Sequence, residues 1–122
     1  NYRSGNDFVA SDSVENGYKK TSLDWFEEQM ILLQKSNKKT KFLIVSDGSK
    51  KHLAQLLKLP NTVYLNQKSA IADLWILSNA KTLLVSGNST FSAWASFLGG
   101  MPTYAQVGSD FKKFNLPNAI FT

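Results

Sequence analysis

The segment Ser86-Gly87-Asn88-Ser89-Thr90 has residue types in an order that suits phosphate binding. An apolar run before it predicts a strand, and the pattern from Phe91 onward predicts a helix. The first N–H groups of a helix lie at the positive end of its dipole, where phosphate binds, and the two hydroxyls would add donors. Ser89 or Thr90 would serve equally well as an ordinary helix cap. This segment alone leaves both interpretations open.

Two further polar segments are placed at the ends of predicted strands. Asp47 follows an apolar run, where its carboxylate accepts hydrogen bonds from a guanine edge or a ribose hydroxyl, or forms a capping Asx turn. Arg3 is the only arginine of the chain, and its planar guanidinium suits phosphate oxygens. Because ligands of parallel sheets bind at the carboxyl ends of the strands, we expect Arg3, Asp47 and Ser89 to line one cleft.

Other polar and aromatic side chains have structural interpretations. Asp73 lies among apolar residues of a predicted helix, and we expect it to be half-buried and bonded to a nearby loop backbone. His52 is predicted to lie on the surface of a helix. The three tryptophans, Trp25, Trp75 and Trp94, recur at helical spacing with other apolar residues and are predicted to belong to the core.

The elements that must position these residues alternate between helix and strand. Such alternation is typical of an α/β fold in which helices cover both faces of a parallel sheet. The segment 108–122 is left unassigned. Helices are predicted at 22–36, 49–58, 69–77 and 89–98, and strands at 42–46, 62–65, 82–86 and 103–107.

Composition bounds the domain count and the class of ligand. A chain of 122 residues with 43% hydrophobic residues is expected to form one domain, 1–122. The net charge of +5 suits an anionic ligand, nucleic acid or a solvated basic surface. The chain has no cysteine, one histidine and no Asp-x-Asp pair, so we expect no metal site and no cofactor.

The ends of the chain look like those of a piece of a longer protein. It begins with Asn1, and Thr122 follows an apolar pair without a capping signal. No apolar run approaches about 18 residues, and no charged-then-apolar leader is visible. We expect the second half of a two-domain protein. Its compartment stays open, with a cytoplasmic location expected if the protein is bacterial.

Taken together, the motifs resemble those of the fucosyltransferase superfamily. Residues 1–8, with Arg3, Gly5 and Asp7, resemble the His-x-Arg-x-Gly-x-Asp-aromatic motif of protein O-fucosyltransferases, and with one insertion the His-x-Arg-Arg-Gly-Asp motif of α1,2- and α1,6-fucosyltransferases. Residues 42–48 resemble their strand ending in Ser-Asp. Residues 73–80 and 85–94 resemble their last motif, Asn-Ser-Thr/Ser-Phe-Ser-x-Trp after an Asp-bearing helix. Two departures are Asn1 in place of histidine and a single arginine in place of two.

The resemblance implies a Rossmann-like, three-layer domain that forms the donor-binding half of a metal-independent glycosyltransferase of the GT-B type. Its donor would be GDP-fucose and its acceptor a carbohydrate or a protein. Arg3 would match the arginine that steadies the β-phosphate, and Asp47 the carboxylate near the nucleoside. Asp7 and Asp73 would support the site. The donor-contacting helix start would comprise Asn88, Ser89, Thr90 and Phe91.

Three other functions stay open at this point. One is a GT-B transferase that uses another nucleotide sugar. Another is a non-catalytic domain that keeps the fold, which the asparagine at position 1 favours. A nucleic-acid-binding α/β domain fits the net charge but lacks the interleaved aromatics and clustered arginines of such proteins.

Overall fold

The computed structural model describes residues 21–46, 49–65 and 69–122. Helices and strands alternate along them in the predicted order, although several elements are shorter than predicted. The helices are α1 (Leu23–Ser36), α2 (Ala54–Leu57), α3 (Ala70–Ser78) and α4 (Thr90–Gly99), followed by a 3-10 helix (Asp110–Phe114). The strands are β1 (Phe42–Ile44), β2 (Thr62–Tyr64), β3 (Leu83–Leu84), β4 (Thr103–Ala105) and β5 (Ala119–Phe121).

All strand pairs in the described residues are parallel. β1 pairs with β2, and β4 lies between β3 and β5. The sequence predicted one sheet of at least four strands, whereas the ladders form a two-stranded and a three-stranded sheet. The strands are only two or three residues long, so each strand pair contains only a few hydrogen bonds.

Helices cover both sides of the strands. Successive strand residues face opposite sides of a sheet. Ile44 and Leu84 accordingly join one apolar cluster, while Val45 and Val85 join the other. The first cluster contains residues of α1 and α2, and the second contains residues of α3 and α4. Each cluster draws on both sheets, which gives an α/β architecture consistent with a Rossmann-like fold.

Serine caps fix the starts of the three longer helices. Ser22, Ser69 and Ser89 each accept a hydrogen bond from the backbone N–H three residues later, at 3.2, 3.2 and 3.1 Å. Helix α4 ends where predicted, because Gly100 takes a left-handed conformation with φ of 68°. Helix α2 is much shorter than predicted. The residues before it form a turn in which Ser49 Oγ accepts from the His52 N–H at 3.2 Å, and only Ala54–Leu57 are α-helical.

The C-terminal segment 108–122, for which the sequence predicted no structure, is hydrogen-bonded to α4 and to β4. The Asn118 amide donates to Ser96 Oγ at 2.9 Å, and Ser96 Oγ lies 2.7 Å from Thr103 Oγ1. These three side chains join β5, α4 and β4 through a polar network inside the protein. The Trp25 indole donates to the Thr122 carbonyl at 3.1 Å and thereby ties α1 to the same end.

The prediction that all three tryptophans are core residues is wrong for two of them. Trp25 is buried at 6% exposure, but Trp75 is 70% and Trp94 56% exposed. Helix α4 packs inward through small residues such as Ala95, whereas Trp94 and Phe97 face outward. Apolar spacing could not distinguish these sides because both are apolar. His52 is exposed, as predicted. Within the described ranges, no helix has the length and apolar character needed to cross a membrane.

Candidate functional site

The start of helix α4 is built around a buried serine cap. Ser89 is 4% exposed, and its Oγ accepts hydrogen bonds from the backbone N–H of Ser92 and from the Ser92 hydroxyl, at 3.1 and 2.9 Å. The capping interpretation of Ser89 is therefore confirmed. The hydroxyl of Thr90 stands on the exposed side of the same turn.

Two backbone N–H groups of this turn remain available. Ala93 donates to the Ser89 carbonyl at 3.1 Å, and Ser92 donates to the Ser89 hydroxyl. Among the residues that the structure describes, no acceptor faces the N–H groups of Thr90 and Phe91. Helix α4 also has no acidic residue in its first turn. Its positive end thus offers two donors that no described residue pairs, and its first turn supplies no anion of its own.

The turn before α4 is held from two sides. The Gly87 N–H donates to the buried Thr21 hydroxyl at 3.0 Å. On the other side Gly87 meets Ser109, because a Cβ at Gly87 would overlap the Ser109 Cβ and lie 2.9 Å from its Oγ. Glycine is needed here for close approach of the two segments. The segment after β4 therefore abuts the loop after β3, both beyond the carboxyl ends of their strands.

That second segment brings a cation to the turn. Lys113, in the 3-10 helix, donates from Nζ to Asn88 Oδ1 at 2.7 Å and lies 5.2 Å from the centre of the Phe114 ring. This lysine was not among the residues predicted from the sequence, because no structure was predicted for 108–122. Its position after a strand, next to an aromatic residue, was the signal that would have found it.

Asp73 lies at the start of α3. Helices α3 and α4 each follow a parallel strand and pack against each other, so both begin at the carboxyl edge of the strands. The predicted bond from Asp73 to a loop backbone is not found in the described part of the chain for Oδ1, which is buried without a hydrogen-bond partner. Burial raises the pKa of this carboxyl above its ordinary value of 3.8.

The remaining predicted site residues, Arg3, Asp7 and Asp47, lie outside the described residues. Their convergence with Ser89 stays a prediction. Phe91 is partly buried, and its ring packs against the cluster beneath α4. In the ranges described, no group of three or more His, Cys, Asp or Glu residues is placed to hold a metal ion.

The site can bind an anion through geometry that does not depend on the family. It combines two N–H groups that have no acceptor among the described residues, a helix dipole and a lysine, and the buried carboxyl of Asp73 lies on the neighbouring helix. Comparison with curated proteins and with solved structures finds no match. The family described as glycosyl transferase family 11 matches residues 3–121, nearly the whole chain. The chain belongs to glycosyl transferase family 11 and so to the fucosyltransferase superfamily, as its motifs indicated.

Proposed function

We propose that this chain is the donor-binding half of a GT-B fucosyltransferase, with GDP-fucose as its donor. Family membership supports fucosyl transfer from a nucleotide sugar to a sugar acceptor. The observation that carries the finer assignment is the start of α4. There the N–H groups of Thr90 and Phe91 have no acceptor among the described residues, and Lys113 is held close by Asn88.

This arrangement suits a nucleoside diphosphate as leaving group. In fucosyl transfer the acceptor hydroxyl attacks C1 of the sugar, the bond from C1 to the β-phosphate oxygen breaks, and GDP leaves with that electron pair. Negative charge therefore grows on the β-phosphate during the reaction. Fixed N–H donors and a lysine stabilise that charge as it develops, without reorganising. They supply electrostatic stabilisation that does not depend on a metal.

Asp73 provides the reason to favour guanine over uracil. Guanine presents two neighbouring donors, N1–H and the exocyclic N2–H₂, that match the two oxygens of a carboxylate. Uracil presents one N–H between two carbonyl oxygens, which a carboxylate would repel. A guanine that reached the Asp73 carboxylate would give a donor to its Oδ1, which has no hydrogen-bond partner among the described residues, and the hydrogen bonds would offset its desolvation.

The residues outside the described ranges complete the proposal. Arg3 would contact the β-phosphate, and Asp47 would accept a hydrogen bond from the ribose. Asp7 would support the arginine loop. The acceptor and the group that removes its proton would belong to the other half of the enzyme.

Proline at position 90 tests the helix-start donors directly. Thr90 is the first residue of α4 and is exposed, and the extended conformation of Ser89 suits a following proline. Thr90→Pro removes one unpaired N–H and leaves the helix intact. We expect GDP binding, measured by calorimetry on the full-length protein, to weaken about ten- to a hundredfold. Thr90→Ala controls for the lost hydroxyl.

Ala70→Pro is the matched control at the first residue of α3, which also follows a serine cap. It should leave GDP affinity within about twofold. An equal loss of GDP affinity in both proline variants, or an unchanged affinity in Thr90→Pro, would contradict phosphate binding at the start of α4.

The lysine and the base are tested in the same titrations. Lys113→Gln should weaken GDP binding several-fold, with a reduced salt dependence, while the neighbouring exposed Lys112→Gln should not. UDP should bind at least tenfold more weakly than GDP, and EDTA should leave GDP binding unchanged. Equal affinity for UDP would contradict the guanosine assignment but leave the family assignment standing.

A further inference from the structure

The outer face of helices α3 and α4 is unusually apolar for a surface exposed to water. Its exposed side chains are large and apolar, and the most exposed lie one turn apart on each helix. Ile71 and Trp75 are 81% and 70% exposed on α3, and Trp94, Phe97 and Leu98 are 56%, 66% and 57% exposed on α4. We call these five residues the aromatic face.

The five side chains point in one general direction. Helices α3 and α4 pack against each other, and their buried residues, such as Leu77 and Ala95, join the same apolar cluster against the strands. Their exposed sides therefore both point away from the sheet. Trp94 and Phe97 make an edge-to-face pair with ring centres 6.1 Å apart, so their rings hold a fixed arrangement on this face.

Charge is almost missing from this face. Helix α4 contains no ionisable residue, and α3 contains only Asp73, whose Oδ1 is buried. The chain as a whole carries a net charge of +5. Two copies would repel through most of their surfaces, but not where uncharged helices meet. The low charge also means that little desolvation of ions opposes contact.

The area is close to what a dimer needs. At about 150–250 Å² per aromatic side chain, the exposed fractions of Trp75, Trp94 and Phe97 leave roughly 400 Å² in water. Ile71 and Leu98 add roughly 100–150 Å². A standard interface buries about 800 Å² on each partner, with an apolar centre and a polar rim. The aromatic face supplies such a centre.

We propose that the aromatic face is the interface of a homodimer, in which α3 and α4 of one copy pack against α3 and α4 of a second copy around a two-fold axis. A two-fold contact needs one self-complementary surface, and an uncharged, aromatic surface fulfils that condition more readily than a charged one. The inference does not depend on the proposed donor.

Sedimentation equilibrium of the full chain tests the proposal. We expect a dimer mass at micromolar concentration, and at least tenfold weaker association in Trp75→Lys and in Trp94→Lys. Leu43→Lys is the matched control, since Leu43 is exposed to a similar extent, 52%, on a strand. Circular dichroism must show that each variant stays folded. A monomer at tens of micromolar, or equal weakening by Leu43→Lys, would overturn the proposal.

The lack of native cysteine permits a second measurement that does not disturb the face. Ala70→Cys places one thiol at an exposed position on α3, and Ala54→Cys places one at an exposed position on α2. A short bismaleimide should cross-link Ala70→Cys into dimers far more than Ala54→Cys. Equal cross-linking of both, or binding of a monomeric chain to anionic lipid vesicles through this face, would contradict a homodimer.

Discussion

Helices α3 and α4 begin in the same way but have opposite electrostatic surroundings. Each follows a parallel strand, and each is capped by a serine whose Oγ accepts from the N–H three residues later. The cap of α3, Ser69, is exposed, and the first turn carries its own carboxylate, Asp73. The cap of α4, Ser89, is buried, and its first turn has no acid but has Lys113 nearby.

The difference teaches how to separate a structural cap from a binding site. A serine hydroxyl that accepts from its own helix is structural in both places. What differs is the charge that meets the positive end of the dipole. Helix α3 has an internal anion there, whereas α4 offers unpaired N–H groups to an external one.

The largest expected effect comes from breaking the turn that positions α4. In Gly87→Ala the new Cβ would overlap Ser109, so the two segments must separate. We expect a loss of about 2–3 kcal/mol in the free energy of unfolding and a clear loss of GDP affinity. Denaturant titration and calorimetry measure the two quantities.

Removal of the opposing side chain controls for a general effect of alanine at position 87. Because the overlap is with the Ser109 side chain, the double variant Gly87→Ala with Ser109→Gly should regain most of the lost stability. No regain would mean that the glycine serves a purpose other than close approach, and the described contact would not explain it.

The elements of the fold were largely predictable, and their lengths were not. The serines at 22, 69 and 89, the Asn79 stop and the Gly99-Gly100 stop place three helices to within a residue or two. These residues act on the helix termini next to them in the sequence, so their effect does not depend on tertiary packing. β5 escaped prediction because it has only three residues and pairs with β4, which is not adjacent to it in the sequence.

The next largest effect is expected from replacing Asp73 with asparagine, which removes the carboxylate from the first turn of α3. Burial raises the pKa of Asp73 in the folded protein above 3.8, so the folded state binds more protons than the unfolded state between the two pKa values. The stabilising effect of protonation is therefore present below about pH 4 and is lost as the pH rises through the folded pKa. Asp73→Asn should remove this loss, so its advantage over the wild type should grow with pH.

Denaturant titrations from pH 3 to pH 8 measure that trend. Glu28→Gln, at an exposed carboxylate of α1, controls for the loss of one negative charge. The same Asp73→Asn protein should bind GDP at least tenfold more weakly, because an amide offers one acceptor where the base needs two. A variant that loses stability at neutral pH would contradict the desolvated carboxylate.

The candidate site was predictable only where its chemistry is local. Asn88, Ser89, Thr90 and Phe91 were found because a strand end, a turn and a cap follow each other in the sequence. Lys113 approaches Asn88 only after β4 and the 3-10 helix have formed. The missing partner of Asp73 likewise depends on packing between elements, which helical spacing does not reveal.

The smallest expected effect on stability comes from giving α4 the electrostatics of α3. Thr90→Asp places a carboxylate at the exposed first residue of α4, where it interacts favourably with the helix dipole. We expect a gain of about 0.3–1 kcal/mol in the free energy of unfolding at low salt and a loss of GDP affinity through repulsion of the phosphates. Thr90→Asn, which has nearly the same shape without the charge, should show neither effect in full. The variant therefore separates the two roles of this helix start, since a purely structural terminus would gain stability and keep its affinity for GDP. If the stability and the GDP affinity both rise, the phosphates bind elsewhere. The starts of α3 and α4 would then differ only in the burial of their capping serines.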